Sequence, residues 1–575
     1  MNSICVRVVY IVILILLSSR PLIAKSYEEE YNLGFQVVNK TLLGWIFDAN
    51  NSQISYGTDT TNSKKSIKFS QTEIWGFREK LNMVVYSSRR ILLPPESGSS
   101  WKVVISHKNQ NLKDARVIAY FLDRQEDIIK TDTIILNDAS DFTADSIQLN
   151  VSDARFLFLS IKALGKDSTY AEYPIMPVNK TVAQALWIQH IRLYADNMAL
   201  HTCPGYDTPA FQVDSSKCFI PTPAPRLTDS IQFPFPNARI VALGETVHGS
   251  RKLHQVSYDL IKQGIEKNQV SLILFEKPLL QMLYVNRYVQ GSNLFSPEML
   301  ELIFDTSLFE IGPFLEFVRW IREYNQSSVQ KVQLLGLDTR FEKNGLNLFL
   351  KGYLQTMNMV AHSNTLEMII PFLEKSGFEK SKENAKEVLS ILENRQDELT
   401  AILGDDLPII SFYLRYSLSI DSLPKIRYYE RDKEMAEAAS FLIDSMGKPN
   451  KRALINCHLM HANYLATNIP FHKSLGFYLK ARYNNDYNCI AQMVYQDTVL
   501  VSGKTQLERN QLPLPSANSL EGTFNRLGYK YCFLPTDNSD EIVKIRTQGN
   551  TLLPPQEVEG FINLKSRFSG VLFVN

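Results

Sequence analysis

Four short apolar runs constrain this chain more than anything else in it, because each ends on an ionisable residue. Ile240-Val-Ala-Leu243 runs through Gly244 into Glu245, with His248 close behind. Ser271-Leu-Ile-Leu-Phe275 runs into Glu276, Val332-Gln-Leu-Leu-Gly-Leu337 into Asp338, and Ala453-Leu-Ile-Asn-Cys457 into His458, with His461 three residues on. Runs this short, rich in branched residues, read as buried strands. Helical segments separate them, which predicts an α/β domain with a mostly parallel sheet. All C-terminal strand ends then share one edge, where open α/β sheets bind ligands. Taken singly, Glu245 and Thr246 also fit the first turn of a helix. The fourfold recurrence favours a cleft lined by Glu245, His248, Glu276, Asp338, His458 and His461.

Gly244-Glu-Thr-Val-His-Gly249, Leu274-Phe-Glu276, Gly336-Leu-Asp338, Arg431-Asp-Lys-Glu-Met435 and His458-Leu-Met-His461 occur in the order found in the erythromycin esterase-like proteins, which this chain resembles from about residue 239 to 575. The resemblance implies metal-independent hydrolysis of an ester or macrolide lactone, and with it antibiotic resistance. In that reading His248 activates water, Glu245 and Glu276 orient it or assist proton transfer, and His458 and His461 complete the catalytic set. Asp338 and Arg431 orient or bind substrate. One departure bears on the substrate. Where many members have Gly-x-x-Glu-Phe and then a basic residue, this chain has Lys252-Leu253 and Ser257.

The residues themselves allow general acid–base hydrolysis with water as nucleophile. No Gly-x-Ser-x-Gly elbow occurs, which disfavours a serine hydrolase. His458, His461, Glu245 and Glu276 are also possible ligands for a divalent metal. The His-x-x-His spacing is not that of a helical HExxH site, however, and an arginine is expected in the same cleft. No tightly bound metal or other cofactor is therefore expected. Carboxylates beside a histidine raise its pKa, whereas a general base must start neutral. Arg431 relieves that conflict by drawing charge from the acids. An arginine heading the stripe Met435, Ala438, Leu442 either reaches outward or pairs with buried acid, and the neighbouring carboxylates favour pairing. His107, His190, His201, His254, His362 and His472 lack such context and are assigned no chemistry.

Residues 1–24 read as a secretory signal peptide: Arg7 precedes an apolar run from Val8 to Leu17, too short for a confident membrane span. An uncleaved anchor is the alternative. An exported protein, periplasmic or extracellular, follows, with no stable membrane span after cleavage. A formal charge of +1 over 575 residues argues against a nucleic-acid partner. In an oxidising compartment Cys203 and Cys218 are placed to form a disulfide. Cys457 and Cys489 sit in apolar runs and read as buried small hydrophobes.

Residues 25–200 read as an all-β sandwich, with short β-rich runs such as Ser100-Trp-Lys-Val-Val-Ile105 divided by polar loops. This part resembles jelly-roll carbohydrate-binding modules. Trp45, Trp75 and Trp101 either stack on sugar or fill the core, and an accessory structural role is favoured over glycan binding. Prolines crowd residues 201–236, which reads as a linker. The hydrolase domain is expected over 237–575. Within it, residues 380–400 read as one long charged helix with Ala385, Val388, Leu389 and Leu392 as its stripe. The sequence thus points to an exported hydrolase of a small-molecule ester. The alternative is a glycan-binding or envelope-polysaccharide protein with a non-hydrolytic cleft.

Overall fold

The computed structural model describes residues 26–201 and 233–575, apart from 39–40, 50–53, 60–64, 72–80, 95–99, 167–169, 172–177, 180–182, 305–310, 340–347, 374–377, 420–429, 446–451, 468, 503–506, 538–539, 548–551 and 553–557. The expected signal segment, most of the expected linker, Trp75, Cys203 and Cys218 lie outside the described residues. The chain divides into two compact units, residues 1–210 and 211–575.

The first unit is built from strands β1 (Trp45–Ala49), β2 (Ile54–Asp59), β3 (Ser66–Gln71), β4 (Asn82–Ser87), β5 (Ser100–Gln110), β6 (Leu112–Leu122), β7 (Ile128–Ile135), β8 (Thr143–Asn150), β9 (Phe156–Gly165) and β10 (Ala185–Ala195). They form two antiparallel sheets, ordered β7-β6-β9-β4-β1 and β8-β5-β10-β3-β2, each with one two-residue strand added. Alternation assigns the faces. In β5, Trp101, Val103 and Ile105 point into the shared core, where they meet Val117, Ala119 and Phe121 of β6 and Leu157, Leu159 and Ile161 of β9. Trp45 and Trp101 are both buried in that core, with Trp101 Nε1 donating to the Val151 carbonyl at 3.0 Å. Neither face of these rings is offered to a sugar, so the stacking role considered for them is excluded.

The second unit contains β11 (Ile240–Glu245), β12 (Val270–Pro278), β13 (Gln333–Asp338), β14 (Arg452–His458), β15 (Tyr487–Val494), β16 (Tyr531–Pro535) and β17 (Gly570–Val574). These make a mixed sheet ordered β13-β12-β14-β11-β15-β17-β16. Neighbours pair in parallel from β13 through to β17, and β16 closes the edge antiparallel. Strands β11 and β14, in the middle of the sheet, are buried along nearly their whole length, as strands covered on both faces must be. The helices that bear on the site and on the insert are α1 (Arg251–Asn268), α2 (Leu279–Val289), α3 (Ile311–Ser327), α4 (Phe378–Asn394), α5 (Gln396–Leu403), α6 (Arg431–Ser445) and α7 (Leu459–Ala462), with others between them, Leu348–Ala361 and Asp406–Leu418 among these. Ser250 caps α1 by accepting from the Leu253 N–H, and the helix stops at Gln269 in a left-handed conformation.

The long helix expected over 380–400 is two helices. Arg395 leaves helical geometry at φ −121°, ending α4 and starting α5. The apolar stripe survives on both sides, with Val388 and Leu392 on α4 and Leu399 and Leu403 on α5 all in the core. No glycine or proline stands at the break. Among the described residues no helix is long and apolar enough to cross a membrane.

Candidate active site

The strand ends deliver side chains to one edge. Register pairs Glu245 of β11 with His458 of β14 on one side and with Gln492 of β15 on the other. Gly244 allows α7 to press against β11, because a Cβ there would lie 2.9 Å from Leu459 and 3.1 Å from Ala462. Gly249 turns the chain after His248 at φ +70°, and a side chain there would run into the Leu500 backbone at 2.7 Å.

Glu245 and His248 form the first half of the site. Glu245 Oε1 and His248 Nδ1 are 2.7 Å apart, and the His248 ring is the more exposed partner. Burial drives the Glu245 carboxyl upward, but His254 and His248 outweigh it and hold the group below the usual carboxylate range. The ring centroids of His248 and His458 are 4.7 Å apart.

His458 is a neutral imidazole. It ends β14 and caps α7, its Nδ1 accepting from the Met460 N–H at 3.3 Å. An accepting Nδ1 leaves the ring proton on Nε2, a buried atom without a hydrogen-bond partner among the described residues. Burial and the neighbouring His248 and His461 push its pKa down to about 3.

Arg431, the first residue of α6, organises the other half. Its guanidinium donates to Asp338 Oδ2 at 2.7 Å, to Glu276 Oε1 at 2.6 Å and to His461 Nε2 at 2.9 Å. Glu276 Oε2 accepts the His458 backbone N–H at 2.8 Å. Burial raises Glu276, yet His461 and Arg431 together keep it well below the carboxylate range. His461 Nδ1 donates to Asp432 Oδ1 at 2.7 Å, and that oxygen also accepts the Leu475 N–H at 2.8 Å. Burial lowers the His461 pKa, but Asp432 and Glu276 overcome this and raise it. A guanidinium therefore occupies the space among Glu276, Asp338 and His461 where a cation would bind. Among the described residues no group of three or more His, Cys, Asp or Glu side chains is arranged to hold a metal ion.

All seven site residues named from the sequence come to this edge. Three others join them. His254, assigned no chemistry from the sequence, sits on α1 with Nε2 3.1 Å from Glu245 Oε2. Asp432 orients His461. Lys277 is lowered to about 8 by burial, against the pull of Glu245, Glu276 and Asp338. A register shift in β12 between Phe275 and Pro278 marks the irregularity around Glu276 and Lys277. Cys457, one residue before His458, is a buried free thiol raised far above its usual range by burial.

A Bacillus cereus protein of solved structure shares 18% identity over 59% of this chain and 88% of its own, with a TM-score of 0.45. A variant of the erythromycin esterase EreC in its open conformation shares 16% over 59% of this chain and 91% of its own, at 0.43. A carbohydrate-binding module, TmCBM61, solved with β-1,4-galactotriose shares 8% over 26% of this chain and 88% of its own, at 0.18. Likeness at this level says nothing of substrate. No curated protein matches the chain. The family model described as erythromycin esterase matches residues 265–574, more than half of the sequence, and the chain belongs to that family.

Proposed function

We propose that the second unit hydrolyses a carboxylic ester of a small molecule, a macrolide lactone being one candidate, with water activated by His248. The observation that carries this reading is the 2.7 Å contact between His248 Nδ1 and Glu245 Oε1. With its proton on Nδ1 held by the carboxylate, His248 keeps Nε2 as the basic nitrogen. In the proposed reaction Nε2 takes a proton from water as the oxygen attacks the carbonyl carbon. The C–O bond of the tetrahedral intermediate then breaks, and the proton passes from His248 to the leaving alcohol. The products are a carboxylic acid and an alcohol.

His458 supports this reading as a donor. A neutral Nε2–H in a buried place suits a developing oxyanion, because it stabilises negative charge without becoming an acid itself. Arg431 pairs with Glu276 and Asp338 and so offsets the charge of two further carboxylates at this edge. Lys252 and Ser257 alter the family pattern beside this machinery, so erythromycin is one candidate substrate among several. Export through the N-terminal apolar segment belongs to the same proposal.

The test is direct. The purified full chain is incubated with erythromycin and a panel of simple esters, and the products are weighed by mass spectrometry. A ring-opened macrolide heavier by one water, or a simple ester split into its acid and alcohol, with either change abolished in His248→Ala, supports the reading. Turnover that survives His248→Ala refutes the mechanism.

A further inference from the structure

The carboxylate of Glu245 has two oxygens, and the mechanism above uses one. Oε1 meets His248. Oε2 faces His254 Nε2 at 3.1 Å, an ion-pair distance. His254 lies in the first turn of α1 and its side chain is only 8% exposed. Its ring runs nearly parallel to Tyr258, with centroids 6.2 Å apart and planes at 25°. Tyr258 in turn stacks on Phe317 of α3 at 4.6 Å and 11°. An aromatic column therefore fixes the imidazole in place behind the carboxylate.

Glu245 needs such a neighbour. It stands at the end of a strand with its side chain buried, where an unsupported carboxylate is costly. The other ionisable groups facing it are His248, Lys277 on β12, and Cys457 and His458 on β14; its partner on β15, Gln492, is uncharged. His254 opposes the burial of this carboxylate more strongly than any other group.

We propose that His254 is a positioning residue of this site: it holds the Glu245 carboxylate from behind, so that Oε1 keeps its bond to His248 Nδ1 and His248 Nε2 stays directed at water. This deepens the hydrolase reading and rests on it. Removal of His254 frees Oε2 in a buried place. The carboxyl then rotates or takes up a proton, and either change breaks the hold on His248.

The role is measured without turnover. An imidazole Nδ1 proton bonded to a carboxylate resonates far downfield in the proton NMR spectrum, and Glu245→Gln assigns it by abolishing it. The signal is expected in the wild type, lost or broadened in His254→Ala, and restored in His254→Gln, whose amide donates in the same direction. Should His254→Ala fail to fold by circular dichroism, His254→Leu keeps the bulk without the donor and takes its place. With 4-nitrophenyl acetate and erythromycin as probes, kcat falls about 10- to 100-fold in His254→Ala while KM stays within about twofold, and His254→Gln recovers most of the loss. An undiminished downfield signal in a folded variant without the donor overturns the proposal. If the wild type turns over neither probe, the hydrolase reading fails, and the NMR comparison still decides the role of His254.

Discussion

Arg431 and Glu276 lie 155 residues apart in the chain and meet at 2.6 Å at the C-terminal edge of the sheet. The same guanidinium reaches Asp338 at 2.7 Å, and all three side chains are nearly buried. One cation therefore answers two acids, and its loss leaves both uncompensated. Arg431→Met is expected to cost about 3–5 kcal/mol, the usual result of breaking a buried ion pair from one side. Arg431→Met combined with Asp338→Asn should cost less than the sum of the two single substitutions. Urea unfolding of the full chain measures all three; strict additivity would mean that the groups do not act together.

The His458 pKa falls from 6.5 in the unfolded chain to about 3 in the folded one. Its contribution is fully present above pH 6.5 and is lost as pH falls from there toward 3, at about 1.4 kcal/mol per unit for one proton. The lowered carboxyls of Glu245 and Glu276 add a further loss below about 4.5. His461 acts in the opposite sense: its raised pKa adds stability below 6.5, lost as pH rises through the folded value. His458→Gln should therefore flatten the decline between pH 6.5 and 4.5. Unfolding free energies at half-unit steps test this, and a slope unchanged by the substitution contradicts a neutral His458.

Gly249 ties the turn after His248 to the backbone of Leu500. Its φ is +70°, and the Leu500 nitrogen and oxygen lie within 2.8 Å of the place a methyl group would take, so Gly249→Ala is strained twice over. It should lower stability by roughly 1–3 kcal/mol and displace His248, reducing kcat on any ester the wild type hydrolyses by at least tenfold. Thermal unfolding and steady-state kinetics check the two halves separately.

Trp101 offers a test in the first unit. Its ring is buried against Phe121, with centroids 6.4 Å apart, and its Nε1 is satisfied by Val151. Trp101→Ala should destabilise that unit by about 3–5 kcal/mol, as large-to-small changes in cores do. Intrinsic fluorescence during urea unfolding reads the shift. A fully stable variant with altered sugar affinity would contradict the core placement.

The cleft was legible because its residues stand at punctuation marks. Glu245, Glu276, Asp338 and His458 each follow an apolar run, and Arg431 opens an apolar stripe, so topology alone brings them to one edge. His254 carries no such mark. It sits among Leu253 and Val256 on a helix face, and only the tertiary approach of α1 to β11 gives it a partner. Lys277 is hidden for another reason: the irregularity in β12 breaks the alternation by which a strand residue is assigned a face. The break at Arg395 has no glycine or proline to announce it. For the tryptophans the signal was available, since Trp101 shares its alternation with Val103 and Ile105.

The pairing of Arg431 with Glu276 and Asp338 also sets an order of events during biosynthesis. Made from its N-terminus, the chain releases both acids before their cation exists: Asp338 precedes Arg431 by 93 residues and Glu276 by 155. Until Arg431 emerges, closing that edge of the sheet means burying two carboxylates without a counter-ion, a state that favours their remaining in water. The cleft is thus one of the last parts of its unit to consolidate. A ribosome stalled before residue 431 holds a chain with three of the seven strands of its sheet made, β11 to β13, and its site still open.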